Sequence, residues 1–99
     1  MALDPHRVQL DPDAILRCPC CSGAYLHHGR VEVFERPEDA STGFHVHVDG
    51  QRVHIDTDLA GNPSRRRTGI KIAFECELCG TNGTLSFVQH KGNTFVEWC

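Results

Sequence analysis

Apolar and polar side chains alternate with a period of two along much of this chain, and glycine, proline and short polar clusters interrupt the alternation. Val31, Val33 and Glu35 alternate with Glu32, Phe34 and Arg36 before Pro37 ends the run, which predicts a strand over about 30–36. Phe44 to Val48 and Gln51 to Ile55 flank Asp49-Gly50, a pair that favours a two-residue type I′ turn because both central residues need positive φ. That turn predicts the pairings Val48 with Gln51, His47 with Arg52, Val46 with Val53, His45 with His54, and Phe44 with Ile55. One face of the hairpin is then apolar, and the other carries three histidines and an arginine. Ile70, Ile72 and Phe74 alternate with Lys71, Ala73 and Glu75 in a half-buried strand. Leu85, Phe87, Val96 and Trp98 fall on one face of a further hairpin turning around Lys91-Gly92-Asn93 and are the expected core anchors. Only Asp11-Pro12-Asp13-Ala14-Ile15-Leu16-Arg17 suggests helix, with an Asp cap and Pro at the first helical position, and it would be one or two turns. The fold class expected is mainly β.

At 99 residues the chain reads as one domain, 1–99, near the size at which a core needs help from a cross-link. Hydrophobic residues at 39% and charged residues at 23% match an ordinary soluble globular composition and exclude disordered and fibrous classes. Met1 to Leu10 holds no apolar run, so neither a secretory signal nor a membrane span is expected, and the location predicted is cytoplasmic.

Two cysteine clusters change the picture most. Cys18-Pro19-Cys20-Cys21 and Cys76-Glu77-Leu78-Cys79 are separated by 54 residues, and each contains C-x-x-C followed closely by glycine, at Gly23 and Gly80. In such a turn the backbone N–H groups point at the sulfurs, so the two pairs read as halves of one four-thiolate site, Cys18, Cys21, Cys76 and Cys79. Cys20 occupies an interior position of its turn and Cys99 is the last residue, so neither is assigned to the metal. Pairing Cys18 with Cys20 is the alternative, disfavoured because one intervening residue does not build the turn. Three disulfides would suit a secreted chain, and redox-active dithiols a β-α-β pattern; neither context is present. Four thiolates hold zinc or iron, and one structural Zn²⁺ is the expectation.

The segments CPCCSG, Cys18 to Gly23, and CELCG, Cys76 to Gly80, resemble the knuckles of the zinc-ribbon, or rubredoxin-like, class. The resemblance covers 11 of 99 residues and implies a zinc ribbon with a β-hairpin insertion between its knuckles. It implies no particular activity, because ribbons serve as nucleic-acid binders, protein-docking modules and lobes of enzymes. Gly61 to Cys79 and Gln89 to Phe95 are also similar to small bacterial proteins without an assigned function.

Two other constellations bear on function. His45, His47 and His54 share one hairpin face, and three neutral imidazoles there would reach one ion and leave a position open for a hydrolytic water. Against this stands their reading as exposed histidines on a hairpin whose other face packs inward. Arg65-Arg66-Arg67, between Gly61-Asn62-Pro63-Ser64 and Gly69, forms a loop that can meet phosphates or an acidic partner. The formal net charge is −3; four thiolates add −4 and one Zn²⁺ adds +2, giving −5 for the loaded protein. Broad attraction to nucleic acid is therefore not expected, and any such binding would be local, through the arginines with Tyr25 or Phe95. The chain has neither a G-x-S-x-G elbow nor a glycine-rich phosphate loop. The expectation is a non-enzymatic zinc-binding module that docks onto a macromolecule, protein more than nucleic acid, with no membrane partner. The alternative is a small metallohydrolase with a second metal at the histidine face.

Overall fold

The computed structural model describes residues 7–98 and contains six strands: β1 (Leu26–Glu35), β2 (Phe44–Asp49), β3 (Arg52–Asp56), β4 (Gly69–Cys76), β5 (Asn82–His90) and β6 (Asn93–Trp98). They form one antiparallel sheet in the order β3-β2-β1-β4-β5-β6. The mainly β expectation holds. β1, β2, β3 and β4 up to Cys76 lie between the two cysteine turns and belong to the same sheet as β5 and β6.

β1 is the hinge of this layout. It pairs with β2 on one side and β4 on the other, and it begins earlier than the alternation predicts because His27-His28-Gly29-Arg30 runs on as strand through a bulge between His28 and Val31. Its first residue, Leu26, lies opposite Cys76, the last residue of β4. Glu77 N–H continues the ladder one step to the Tyr25 carbonyl at 2.9 Å. The segment that enters β1 is thereby set beside the turn that leaves β4.

The β2–β3 hairpin forms, but in another register. Asp49 pairs with Arg52, Val48 with Val53, His47 with His54, Val46 with Ile55 and His45 with Asp56. The central turn residues are Gly50 and Gln51, with positive φ only at Gly50, as a type II′ turn requires. Relative to the predicted pairing each partner moves by two residues, so the two faces keep their composition. The observed register opposes Asp49 to Arg52 and His45 to Asp56, where the predicted one would oppose His47 to Arg52; cross-strand charge favours the former. A turn with positive φ at both central residues occurs instead in the β5–β6 hairpin, at Lys91 and Gly92.

The predicted helical turn at Asp11 is absent. The Asp11 carboxylate accepts from the N–H groups of Asp13 and Ile15, both at 2.9 Å, as an N-cap would. The chain then reverses rather than winding on: Ala14 takes φ 63°, and Asp11 N–H donates to the Ile15 carbonyl at 3.0 Å. The same side-chain chemistry caps a helix or closes a turn, and here it closes a turn.

Residues paired across neighbouring strands share a face, so the sheet can be read from edge to edge. On one face lie Val53 and Ile55, Val46 and Val48, Val31 and Val33, Ile70 and Ile72, Leu85 and Phe87, then Val96 and Trp98. Leu85 and Trp98 are buried, with the Trp98 ring edge-on to Phe74 at 5.6 Å. Towards β3 this apolar face is open: Phe44 is 60% exposed, Val53 66% and Ile55 62%. Of the four expected core anchors, Val96 is exposed.

The opposite face is covered by the long return from β3 to β4. Phe34, 1% exposed, is its centre: the His45 ring stacks on it at 4.3 Å, and Lys71 Nζ lies 6.0 Å from its centroid while donating to the Gly61 carbonyl at 3.1 Å. Gly69 lies directly across from Phe34, and a methyl group there would overlap Asn62 Oδ1 and the Pro63 ring. The absence of a side chain at Gly69 is what lets the return loop lie flat on the sheet.

A four-cysteine candidate metal centre

Two turns of the same construction supply the sulfurs. In the first, Cys18 N–H donates to the Gly23 carbonyl and Ser22 N–H to the Cys18 carbonyl, both at 2.9 Å. In the second, Cys76 N–H donates to the Thr81 carbonyl at 3.0 Å and Gly80 N–H to the Cys76 carbonyl at 2.9 Å. The residue four after the leading cysteine is left-handed in both, Ser22 with φ 61° and Gly80 with φ 72°. Gly23 therefore does not play the part of Gly80. Its role is spatial: a Cβ on Gly23 would stand 2.6 Å from Leu78 Cδ1 and 3.1 Å from Cys21 Sγ, so its bareness lets the turns approach.

The β1–β4 register then closes the site. Cys18 Sγ lies 3.7 Å from Cys79 Sγ, and Cys21 Sγ 3.6 Å from Cys76 Sγ; all four sulfurs are within 4.8 Å of one another. Four sulfurs bound tetrahedrally at about 2.3 Å stand about 3.8 Å apart, so the donor set fits such an ion. The cluster crosses the turns, each close pair taking one sulfur from each. Cys18 and Cys76 are buried, whereas Cys21 and Cys79 face outward. The Cys20 N–H points at Cys18 Sγ and the Gly23 N–H at Cys21 Sγ, both at 3.4 Å, the amide pattern that C-x-x-C predicts. The Thr81 hydroxyl lies 3.1 Å from Cys79 Sγ, a partner that spacing alone did not indicate.

Electrostatics within the metal-free cluster are unequal. The Thr81 hydroxyl and then its N–H pull the Cys79 thiol down to about 6. At Cys21 the Gly23 N–H pulls the same way, but desolvation and the three neighbouring sulfurs outweigh it and push the thiol up to about 12. The Cys79 thiolate forms readily, whereas that of Cys21 is disfavoured until a cation offsets the neighbouring sulfurs. Cys20 is exposed and outside the cluster, and Cys99 lies outside the described residues.

The histidine face is built differently from a convergent metal site. His45 Nδ1 meets Asp56 Oδ1 and its Nε2 meets Glu32 Oε1, both at 3.1 Å. Each ring nitrogen of His45 is thus turned to a carboxylate, Asp56 on one side and Glu32 on the other, rather than to a point shared with His47 and His54. His54 Nε2 lies 3.2 Å from Asp56 Oδ2, and His47 Nε2 is buried without a hydrogen-bond partner. The Asp58 N–H, followed by His45 and His54, holds the Asp56 carboxyl below the usual range although burial pushes it up. Among the described residues the four cysteines are the one group of three or more whose donor atoms lie this close together.

The arginine loop is fixed at every backbone carbonyl. Arg36 Nη1 donates to the Arg65 carbonyl at 2.8 Å, the Asp39 N–H to that of Arg66 at 2.9 Å, and Asn62 Nδ2 to that of Arg67 at 2.9 Å. Ser64, 2% exposed, holds the loop to the sheet: its hydroxyl donates to the Thr68 carbonyl at 2.8 Å and accepts from the Gln89 N–H at 2.9 Å. The side chains project outward, Arg66 towards Asp39 at 3.4 Å and Arg67 towards Glu38 at 2.7 Å. With His90 and Lys91 of the β5–β6 turn they line a concavity of about 280 Å³. Lys91 belongs to this basic surface only through the sheet, which brings its turn beside a loop distant in sequence.

Comparison with protein-family models, with curated proteins and with solved structures finds no match.

Proposed function

We propose that this chain is a zinc-stabilised, non-enzymatic module of the zinc-ribbon-like kind that docks onto a macromolecule, a protein rather than nucleic acid. The observation that carries the reading is the closed four-sulfur cluster. All four positions of a tetrahedral ion would be taken by Cys18, Cys21, Cys76 and Cys79, leaving none for a substrate or water, which is how structural zinc differs from catalytic zinc. Such an ion would tie the entry of β1 to the β4–β5 turn, the cross-link that a small single-sheet protein needs.

Docking is supported by two surfaces. The Arg65–Arg67 loop presents its guanidinium groups from a backbone already immobilised, so little ordering cost would oppose binding. The open apolar end of the sheet, at Phe44, Val53 and Ile55, is the kind of surface that protein partners cover and nucleic acids do not. A loaded charge of −5 points the same way.

The test is quantitative capture from a lysate of the source cells, comparing the wild-type chain with the triple variant R65A/R66A/R67A at matched zinc content. The expected result is a set of proteins retained by the wild type, resistant to nuclease, and lost from the variant. Equal retention by both would contradict the role of the loop, and retention abolished by nuclease would contradict the preference for protein.

A further inference from the structure

β3 is the free edge of the sheet. Its inner side pairs with β2, and among the described residues no segment pairs with its outer side. The other edge is engaged, since Arg7 bridges Glu97 of β6. Natural edges are blunted by proline, a bulge, shortness or charged side chains; β3, Arg52-Val53-His54-Ile55-Asp56, is short and carries a charge at each end, but it has no proline and pairs with β2 without a register shift.

The hydrogen-bonding direction of each residue follows from the hairpin. A two-residue turn makes Asp49–Arg52 a hydrogen-bonded pair, and alternation assigns the same to His47–His54 and His45–Asp56. Arg52, His54 and Asp56 therefore spend their backbone groups on β2, while Val53 and Ile55 direct theirs to the open side.

We propose that the chain self-associates through this edge, β3 pairing antiparallel with β3 of a second copy about a two-fold axis at His54. In that register Val53 and Ile55 of each copy exchange both of their outward hydrogen bonds, four across the interface. The side chains agree with the backbone. Val53 meets Ile55 on the apolar face, and Arg52 meets Asp56 of the other copy, twice, on the polar face. Shifting the register by one residue opposes outward to inward groups and breaks every bond. Shifting it by two in either direction loses both the Val53–Ile55 match and the Arg52–Asp56 pairs. The sequence of β3 is thus complementary to itself in charge, in apolar contact and in backbone direction at one alignment. Arg52 makes no ion pair among the described residues, and the Asp56 side chain, although held by His45 and His54, is 34% exposed and still reachable. The association joins two six-stranded sheets edge to edge and is independent of the zinc and arginine-loop readings.

Sedimentation equilibrium of the full chain, with reductant present so that Cys20 and Cys99 cannot link copies, tests it. The wild-type weight-average mass is expected to rise towards twice that of one chain as concentration climbs through the micromolar range. Val53→Pro removes one outward donor per copy without touching the ladder to β2, and is expected to abolish the rise. Arg52→Glu, at an exposed position, opposes two carboxylates at each end and is expected to weaken association roughly tenfold with β2–β3 amide protection unchanged, which checks that Glu opposite Asp49 has not shifted the hairpin, while Arg52→Lys retains association. A wild-type chain that stays monomeric at about 1 mM overturns the proposal and leaves the edge to a strand of another protein. A dimer that survives both Val53→Pro and Arg52→Glu overturns it equally and assigns association to the open apolar face.

Discussion

Replacing Ser64 by alanine isolates the device that holds the arginine loop to the sheet. The Ser64 hydroxyl is buried and makes two hydrogen bonds, to the Thr68 carbonyl at 2.8 Å and from the Gln89 N–H at 2.9 Å. Removing the oxygen leaves a backbone donor and a backbone acceptor unpaired in a place where water has little access. Each such group costs about 1–3 kcal/mol, and partial relaxation of the loop brings the expected sum to about 2–4 kcal/mol. Against a total stability of about 5–15 kcal/mol the loss is large but leaves a folded protein. The assay is denaturant unfolding of metal-loaded wild type and Ser64→Ala, together with amide exchange at Gln89. A midpoint shift worth at least about 2 kcal/mol, at unchanged slope, and faster exchange at Gln89 are expected. Partner capture should fall although all three arginines remain, because ordering the loop would then oppose binding. A Ser64→Ala variant within about 0.5 kcal/mol of the wild type, with Gln89 still protected, would refute the idea that this hydroxyl clamps the loop.

The equivalence of Ser22 and Gly80 predicts opposite effects from opposite substitutions. Gly80→Ala imposes left-handed strain of about 1–2 kcal/mol at a site where a methyl meets nothing within 4 Å, whereas Ser22→Gly relieves similar strain less the flexibility of glycine and should be neutral to stabilising by about 1 kcal/mol. Thermal unfolding of the metal-loaded variants checks the signs; equal effects would dissolve the equivalence of the two turns. Metal uptake should release protons at pH 7, because Cys21, held up at about 12, must surrender its own while Cys79, at about 6, is already largely thiolate. Affinity should accordingly rise with pH, and titration calorimetry in buffers of different ionisation enthalpy should count at least one proton; a count of zero would contradict the thiol assignments.

What the sequence discloses about this protein divides by range. The two C-x-x-C turns are local objects whose spacing fixes their geometry, and the strands announce themselves by alternation, so both were legible. The Asp49-Gly50 turn was located to within one residue but misregistered, because Gly50 can serve a type I′ or a type II′ turn and the choice rests on Asp49 facing Arg52 and His45 facing Asp56 across the strands. At Asp11, cap and turn share the same side-chain chemistry, and only the reversal at Ala14 separates them. At the first cysteine turn the positive φ falls on Ser22 rather than on the glycine beside it, an unusual conformation for serine that composition does not suggest. The clamp at Ser64, the stack of His45 on Phe34 and the placement of Lys91 beside the arginines depend on a loop folding back over the sheet, and no short-range pattern encodes that contact.

The account rests first on the four sulfurs, and native mass spectrometry combined with elemental analysis addresses them directly. The purified chain should carry one zinc per molecule, keep it through mild chelation, and lose both metal and fold when Cys18 and Cys76 are replaced by serine. A chain that folds without metal, or a zinc that remains after both cysteines are gone, would contradict the central claim.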